Sequence, residues 1–265
     1  MTDLIESREK GIAVLTMNRP EARNAMSGEM MSALHEALPR LAQDPEIRLV
    51  VLTGAGGAFC AGGDVKGFAS EAGSGKAPPN MEMRVQGLRA GMELSKLLHE
   101  MPKPTLAVIP GPAAGAGFSL ALACDIRIAA DTAKLTTAFS KVGLSGDYGG
   151  SYFLTQLVGA AKARELYFTA RVILGPEAEA MGIVNKTVPA AELEAEASAY
   201  AEQIASLPTI ALGYMKKNLN AALHGSLNEV LDLEAMHMIR TFQTNDHKNA
   251  AKAFVEKRQP EFTGT

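Results

Sequence analysis

Two runs of nearly unbroken apolar residues, "RLVVLTG" (48–54) and "KPTLAVIPG" (103–111), each end on glycine and pass into a glycine-bearing segment. A short strand with no polar alternation has to be covered on both faces, which is the signature of a parallel sheet packed between other layers. The second run leads through "PGPAAGAGFSLALACD" (110–125) into an apolar helix and then into "CDIRIAA", another strand. Strand, turn, helix and strand in that order predict βαβ units around a largely parallel sheet, an α/β fold.

The rest of the chain is consistent with that rhythm. "GIAVLTMN" alternates as a strand, and Ser27 is placed to cap a helix whose Met30, Met31, Leu34, Leu38 and Leu41 fall at helical spacing. A helix is predicted over 81–100, with Met83, Val85, Leu88, Met92, Leu94, Leu97 and Leu98 on its apolar side. Residues 70–80, "SEAGSGKAPPN", have no periodic apolar pattern and read as a mobile loop. From about Ser151 onward the patterns are helical, so the C-terminal third is expected to be a helical layer.

Several function classes are excluded by composition. The net charge is −3 and the cations are scattered, which removes the footprint of a nucleic-acid binder. No span of about 18 apolar residues occurs, so no membrane association is expected and a cytoplasmic location is. Cys60 and Cys124 lie in apolar stretches without metal-ligand or disulfide spacing and read as buried free thiols, with no metal site. With 47% hydrophobic residues in 265, the chain can bury a proper interior.

The two glycine-bearing turns carry the candidate chemistry, because backbone N–H groups free of bulky side chains can approach a ligand closely. "GAGGAF" lacks the third glycine of a dinucleotide fingerprint, and "GSGKA" lacks the hydroxyl residue of a phosphate loop. Ser119 lies in "GFSLA", which is not the G-x-S-x-G of a nucleophile elbow, so packing or capping is its expected role.

Taken together, "RPEARNAM", "AFCAGGDVKGF", "GPAAGAGFSLALACDIRIA", "AKLTTAFSKVGLSGDYGG" and "AFVEKRQPEF" resemble the crotonase, or enoyl-CoA hydratase/isomerase, superfamily over almost the whole chain. The resemblance implies a crotonase-like core of ββα units over 1–200, wound as a spiral of two near-perpendicular sheets. It also implies a C-terminal helical trimerisation region over 201–265 and a homotrimer or dimer of trimers. The substrate it implies is an acyl-CoA thioester, with coenzyme A part of the substrate and no separate cofactor.

By position in those motifs, the N–H groups of Gly63 and Ala116 would form the oxyanion hole for the thioester carbonyl. Arg23, and Lys257 from a neighbouring subunit, would meet the CoA phosphates, and Ala61 and Asp64 would line the adenine pocket. Hydratases of the superfamily use two glutamates, and the matching positions here are Ser119 and Phe139. Without either carboxylate the usual water addition lacks its acid and base. Asp147, in "GLSGDYGG", is the replacement candidate, with Phe139 and Tyr148 beside it to desolvate the carboxylate and raise its pKa. One carboxylate suits a Δ3,Δ2-enoyl-CoA isomerase, in which a single base moves one proton. The alternatives are a hydratase-like lyase with an atypical acid/base, and a non-catalytic acyl-CoA-binding protein.

Overall fold

Lys10 and Gly11 both take positive φ, 49° and 78°, as the centre of a two-residue type I′ turn requires. They fold β1 (Leu4–Glu9) antiparallel onto β2 (Ile12–Met17), so the chain starts with a hairpin whose first strand the sequence reading did not include. The computed structural model describes residues 2–64 and 80–265. The expected loop over 70–80 therefore lies outside the described residues except for Asn80.

From β2 onward the main sheet is parallel. Its order is β1-β2-β3-β4-β6-β9, with β3 at Leu49–Gly54, β4 at Thr105–Ile109, β6 at Ile126–Ala130 and β9 at Lys186–Val188. Leu49, Val50, Val51 and Leu52 are all buried, as expected of a strand covered on both sides. A second sheet joins β5 (Ala113–Ala114), β7 (Lys134–Thr136) and β8 (Ile173–Leu174). The helical patterns after Ser151 are present, but β8 and β9 return the chain to both sheets. The change of character at that point is therefore not an edge of the core.

Helix α1 (Gly28–Gln43) starts where expected, the Ser27 hydroxyl accepting from the Met30 N–H at 3.1 Å. Its Met30, Leu34, Leu38 and Leu41 are buried in the core. The helix expected over 81–100 is two helices, α2 (Met81–Gly91) and α3 (Glu93–Glu100). The boundary falls next to Gly91, where a Cβ would stand only 3.0 Å from the Tyr148 hydroxyl. Only α3 is anchored, through Leu94 and Leu98, whereas Met83, Val85 and Leu88 on α2 are exposed in the single chain.

Helix α4 (Ala116–Ala123) is buried at every residue. Its last carbonyls are met from β6 by the buried Arg127, which donates to Cys124 O at 2.5 Å and Leu122 O at 3.4 Å. There follow α5 (Gly150–Thr169), α6 (Gly175–Ala180), α7 (Leu193–Ala205), α8 (Thr209–Ala222), α9 (Leu227–Phe242) and α10 (Asn245–Glu256). No helix of the described residues is long and apolar enough to cross a membrane.

Helix α8 is tied to the core by Lys216, whose Nζ donates to Asp125 Oδ2 and Leu98 O, each at 2.8 Å, and to Lys103 O at 3.2 Å. Asp125 also accepts from the Thr105 N–H and hydroxyl, at 2.7 and 2.9 Å. Replacing a buried member of such a pair leaves the partner and two carbonyls without their donor. Lys216→Met is expected to cost about 3 kcal/mol of stability, measured by urea unfolding. A loss under about 0.5 kcal/mol would show that the pair contributes nothing net.

Candidate active site

The two glycine-bearing turns are brought side by side by a parallel bridge between Cys60 and Ala113, closed by Ala114 N–H donating to Cys60 O at 2.9 Å. Pro112 O accepts from both the Phe59 and Cys60 N–H groups, at 3.0 and 3.2 Å. The fit allows no extra atoms. A Cβ on Gly117 would lie 2.5–2.6 Å from Cys60 O, Cβ and Sγ, and one on Gly62 would lie 2.7 Å from Ala114 O and 3.4 Å from Ala116 N. Gly62 (φ 89°) and Gly115 (φ 52°, ψ −127°) also hold backbone conformations that side chains disfavour.

Gly63 and Ala116 therefore stand on adjacent turns, Gly63 bridged to Met26 and Ala116 opening α4. Among the described residues, neither of their N–H groups donates to a backbone carbonyl. Two unspent main-chain donors, one at the positive end of a buried helix, make a site for an oxygen that acquires negative charge.

The remaining residues expected near CoA occupy one border of these turns. Arg23 O accepts from the Ala61 N–H at 2.9 Å, and Arg23 itself sits at φ 50°. Asp64 is engaged by Arg19, whose guanidinium reaches Oδ2 at 3.4 Å, an ion pair that fixes this edge of the loop. Lys257 stands apart, exposed at the C-terminal cap of α10.

The opposite wall is the loop Gly146-Asp147-Tyr148-Gly149. Gly146, Tyr148 and Gly149 all have positive φ, 110°, 51° and 74°, and the Tyr148 carbonyl is held by the Ser95 hydroxyl at 2.7 Å. Asp147 caps no helix. The cap position of α5 belongs to Gly149, and Asp147 Oδ1 is buried with no hydrogen-bond partner. Burial pushes the Asp147 carboxyl up to about 6. Tyr148 is buried and its phenol is pushed up to about 12, by burial first and by the Asp147 charge second.

Phe139 joins the two walls. Its ring lies 3.6 Å from the Cβ position of Gly115 on one side and of Gly146 on the other. Ser119, whose hydroxyl donates to Gly115 O at 3.2 Å, meets the start of α5, where a Cβ on Gly150 would collide with its Oγ. Ser119 is one helical turn, about 5 Å, beyond Ala116. The Asp147 loop thus packs against the same short helix that presents the Ala116 amide.

One group in this wall was missed by sequence reasoning. Tyr167 stacks on Phe139 with ring centroids 6.0 Å apart and planes 14° from parallel. Its helix placement was legible, but nothing in the spacing of "ELYFTA" places it near Asp147. Both cysteines are buried and unpaired, as expected, and burial pushes each thiol up to about 12, which makes them poor nucleophiles. A separate cavity of about 850 Å³, lined by Ser95, His99, Gly149, Tyr152, Lys217 and His224 among others, includes neither amide and not Asp147.

The chain is similar in sequence and in fold to known proteins. A family model described as "Enoyl-CoA hydratase/isomerase" matches residues 7–265. The chain is 37% identical to the 1,2-epoxyphenylacetyl-CoA isomerase of Escherichia coli over 264 residues, covering 100% of this chain and 99% of that one. It is 33% identical to the short-chain-enoyl-CoA hydratase of Clostridium acetobutylicum over 262 residues, covering 98% and 97%. Among solved structures, an enoyl-CoA hydratase from a Polaromonas species aligns with a TM-score of 0.90 at 34% identity, covering 98% of this chain and 99% of that one. One from Bacillus anthracis aligns with a TM-score of 0.91 at 31% identity, covering 99% and 100%.

Proposed function

Because this chain belongs to the enoyl-CoA hydratase/isomerase family, we propose that it moves a proton on an acyl-CoA thioester, as a Δ3,Δ2-enoyl-CoA isomerase does, with Asp147 as its single acid/base. The observation that carries the reading is the Asp147 carboxylate. Asp147 is half-buried, its Oδ1 is buried without a hydrogen-bond partner and its pKa is raised, in a wall where positions 119 and 139 hold no second carboxylate.

In this reading the Gly63 and Ala116 N–H groups hold the thioester oxygen. Asp147 takes a proton from the α-carbon of a 3-enoyl thioester, and the electron pair spreads through a dienolate onto that oxygen. The carboxylic acid so formed returns the same proton at the γ-carbon, which leaves a 2-enoyl thioester and the original carboxylate. Each amide donor that strengthens as charge develops is worth about 3 kcal/mol of barrier. Arg23, Ala61 and Asp64 border the coenzyme A portion, Asp64 while held by Arg19. Lys257 would reach it only from a neighbouring subunit. The exposed Leu227, Leu231, Ile239 and Phe242 of α9 are a face that a homotrimer would cover, which sedimentation at three times the chain mass would support and a stable monomer would contradict.

The relatives' names are divided between isomerase and hydratase, so the test is chemical. Purified protein is incubated with 3-hexenoyl-CoA and, separately, with crotonyl-CoA, following enoyl absorbance. Conversion of the first supports this reading. Hydration of the second alone favours the lyase, and tight CoA binding without turnover favours a binding protein.

The pH profile gives a sharper check. The base must be ionised, so kcat/KM for 3-hexenoyl-CoA is expected to be level at neutral pH and to fall with unit slope below about pH 6. A rate that stays level down to pH 4.5 would exclude a base with this burial.

A further inference from the structure

Tyr167 reaches the Asp147 loop from the far end of the helix that this loop begins. Residues 150 and 167 would be about 26 Å apart along a straight α-helix. Yet a Cβ on Gly150 would stand 2.6 Å from the Tyr167 hydroxyl. The helix is broken at Gly159, where φ is 74° and ψ is 163°. Nothing lies within 4 Å of the Cβ that Gly159 lacks, so this glycine serves the backbone turn and not close packing.

The break returns Tyr167 to a defined place. Its hydroxyl is 3.6 Å from the Cβ position of Gly146 as well, so the phenol is flanked by residues on both sides of Asp147. Ser119 Oγ borders the same point and is already bonded to Gly115 O. Among the described residues the Tyr167 hydroxyl has no hydrogen-bond partner. Burial and the Asp147 charge both hold it in its protonated form. A phenol held protonated and not spent on the described residues can donate to an acceptor that a ligand brings. A hydrocarbon acyl chain filling this pocket offers it none.

We propose that Tyr167 is a further catalytic residue whose hydroxyl donates a hydrogen bond to an oxygen carried on the acyl chain, so that the preferred substrates are acyl thioesters oxygenated beyond the thioester carbonyl. The inference rests on the reading of this pocket as an acyl-CoA site. Tyr167 transfers no proton in it. It fixes the substituent while Asp147 acts on the carbon, and it adds to binding only where the acceptor exists.

Saturated ligands test the contact apart from catalysis. Hexanoyl-CoA, 3-hydroxyhexanoyl-CoA and 4-hydroxyhexanoyl-CoA are titrated calorimetrically against the wild type, Tyr167→Phe and Asp147→Asn. The wild type is expected to bind one hydroxylated ligand about 3- to 15-fold more tightly than hexanoyl-CoA. Tyr167→Phe is expected to lose that preference while holding hexanoyl-CoA and free CoA within about twofold, which also reports an intact pocket. Should the phenylalanine variant not bind free CoA, Tyr167→Met takes its place, with the same expected result. A wild type without preference, or a hydroxyl-free variant that keeps it, overturns the proposal. If 3-hexenoyl-CoA is not isomerised but the preference exists and depends on Tyr167, the isomerase reading fails and this contact stands. Asp147→Asn is expected to keep the preference, which separates the two residues.

Discussion

Asp147→Asn is expected to lower kcat for 3-hexenoyl-CoA isomerisation by about 10²- to 10⁴-fold, the range that a positioned acid/base contributes. Asparagine matches the carboxylate in shape but cannot accept and return the proton. KM should change little, because the CoA portion and the thioester oxygen are held by other residues. The same substitution should not destabilise the protein at pH 7.5. The folded-state pKa of Asp147 is raised from 3.8 to about 6, so the folded state binds more protons than the unfolded state between those values. The group's favourable contribution is complete below about pH 4 and is lost as pH rises through 6, where the carboxylate ionises without a partner. Asparagine removes that charge. A melting temperature at pH 7.5 equal to or above that of the wild type, with activity lost, is the expected pair of results. Full activity in the variant would remove Asp147 from the mechanism. Lost activity together with a melting temperature lowered by 10 °C would point instead to a structural role.

Gly117→Ala is expected to lower kcat/KM by about 100-fold without touching any group that reacts. The added methyl would stand 2.5–2.6 Å from Cys60 O, Cβ and Sγ, well inside contact distance. Two of those three atoms belong to Cys60 whatever is done to its sulfur, so Cys60→Ala should not rescue the variant. The strand-like segment through Cys60 must move away from α4, and with it go Gly62 and Gly63. A displacement near 1 Å in a reacting constellation costs about two orders of magnitude. Overpacking should also cost about 1–3 kcal/mol of stability. Gly87→Ala is the control, since a Cβ there meets nothing within 4 Å and the residue is exposed on α2. Equal activity in Gly117→Ala and Gly87→Ala would show that the apposition of the two turns is irrelevant to turnover.

Much of this arrangement is legible one segment at a time. The unbroken apolar runs at 49–52 and 106–109 report strands covered on both sides, and the Ser27 cap and the small residues at 61–63 and 113–117 are read directly. The absence of a carboxylate at 119 and 139 is likewise a fact of the chain, and it directs attention to Asp147. Shorter elements escaped. β1 is exposed along much of its length and lacks a clear apolar face, and β9, three residues long, is a strand only because β6 offers its edge. The apolar pattern over 81–100 runs straight through the break at Met92, so its periodicity alone does not show two helices.

Local sequence thus settles which stretches become strands, turns and helices, because propensity, capping and periodicity act within a few residues. Contact between remote segments belongs to the folded chain. Cys60 meets Gly117 because the ends of two neighbouring strands are parallel, and Tyr167 comes back to Gly150 because one glycine breaks a helix. The acidity of Asp147 stands between the two: its own motif, with Phe139 and Tyr148, leads one to expect a raised pKa, while the extent depends on whatever else packs around the carboxylate in the folded chain.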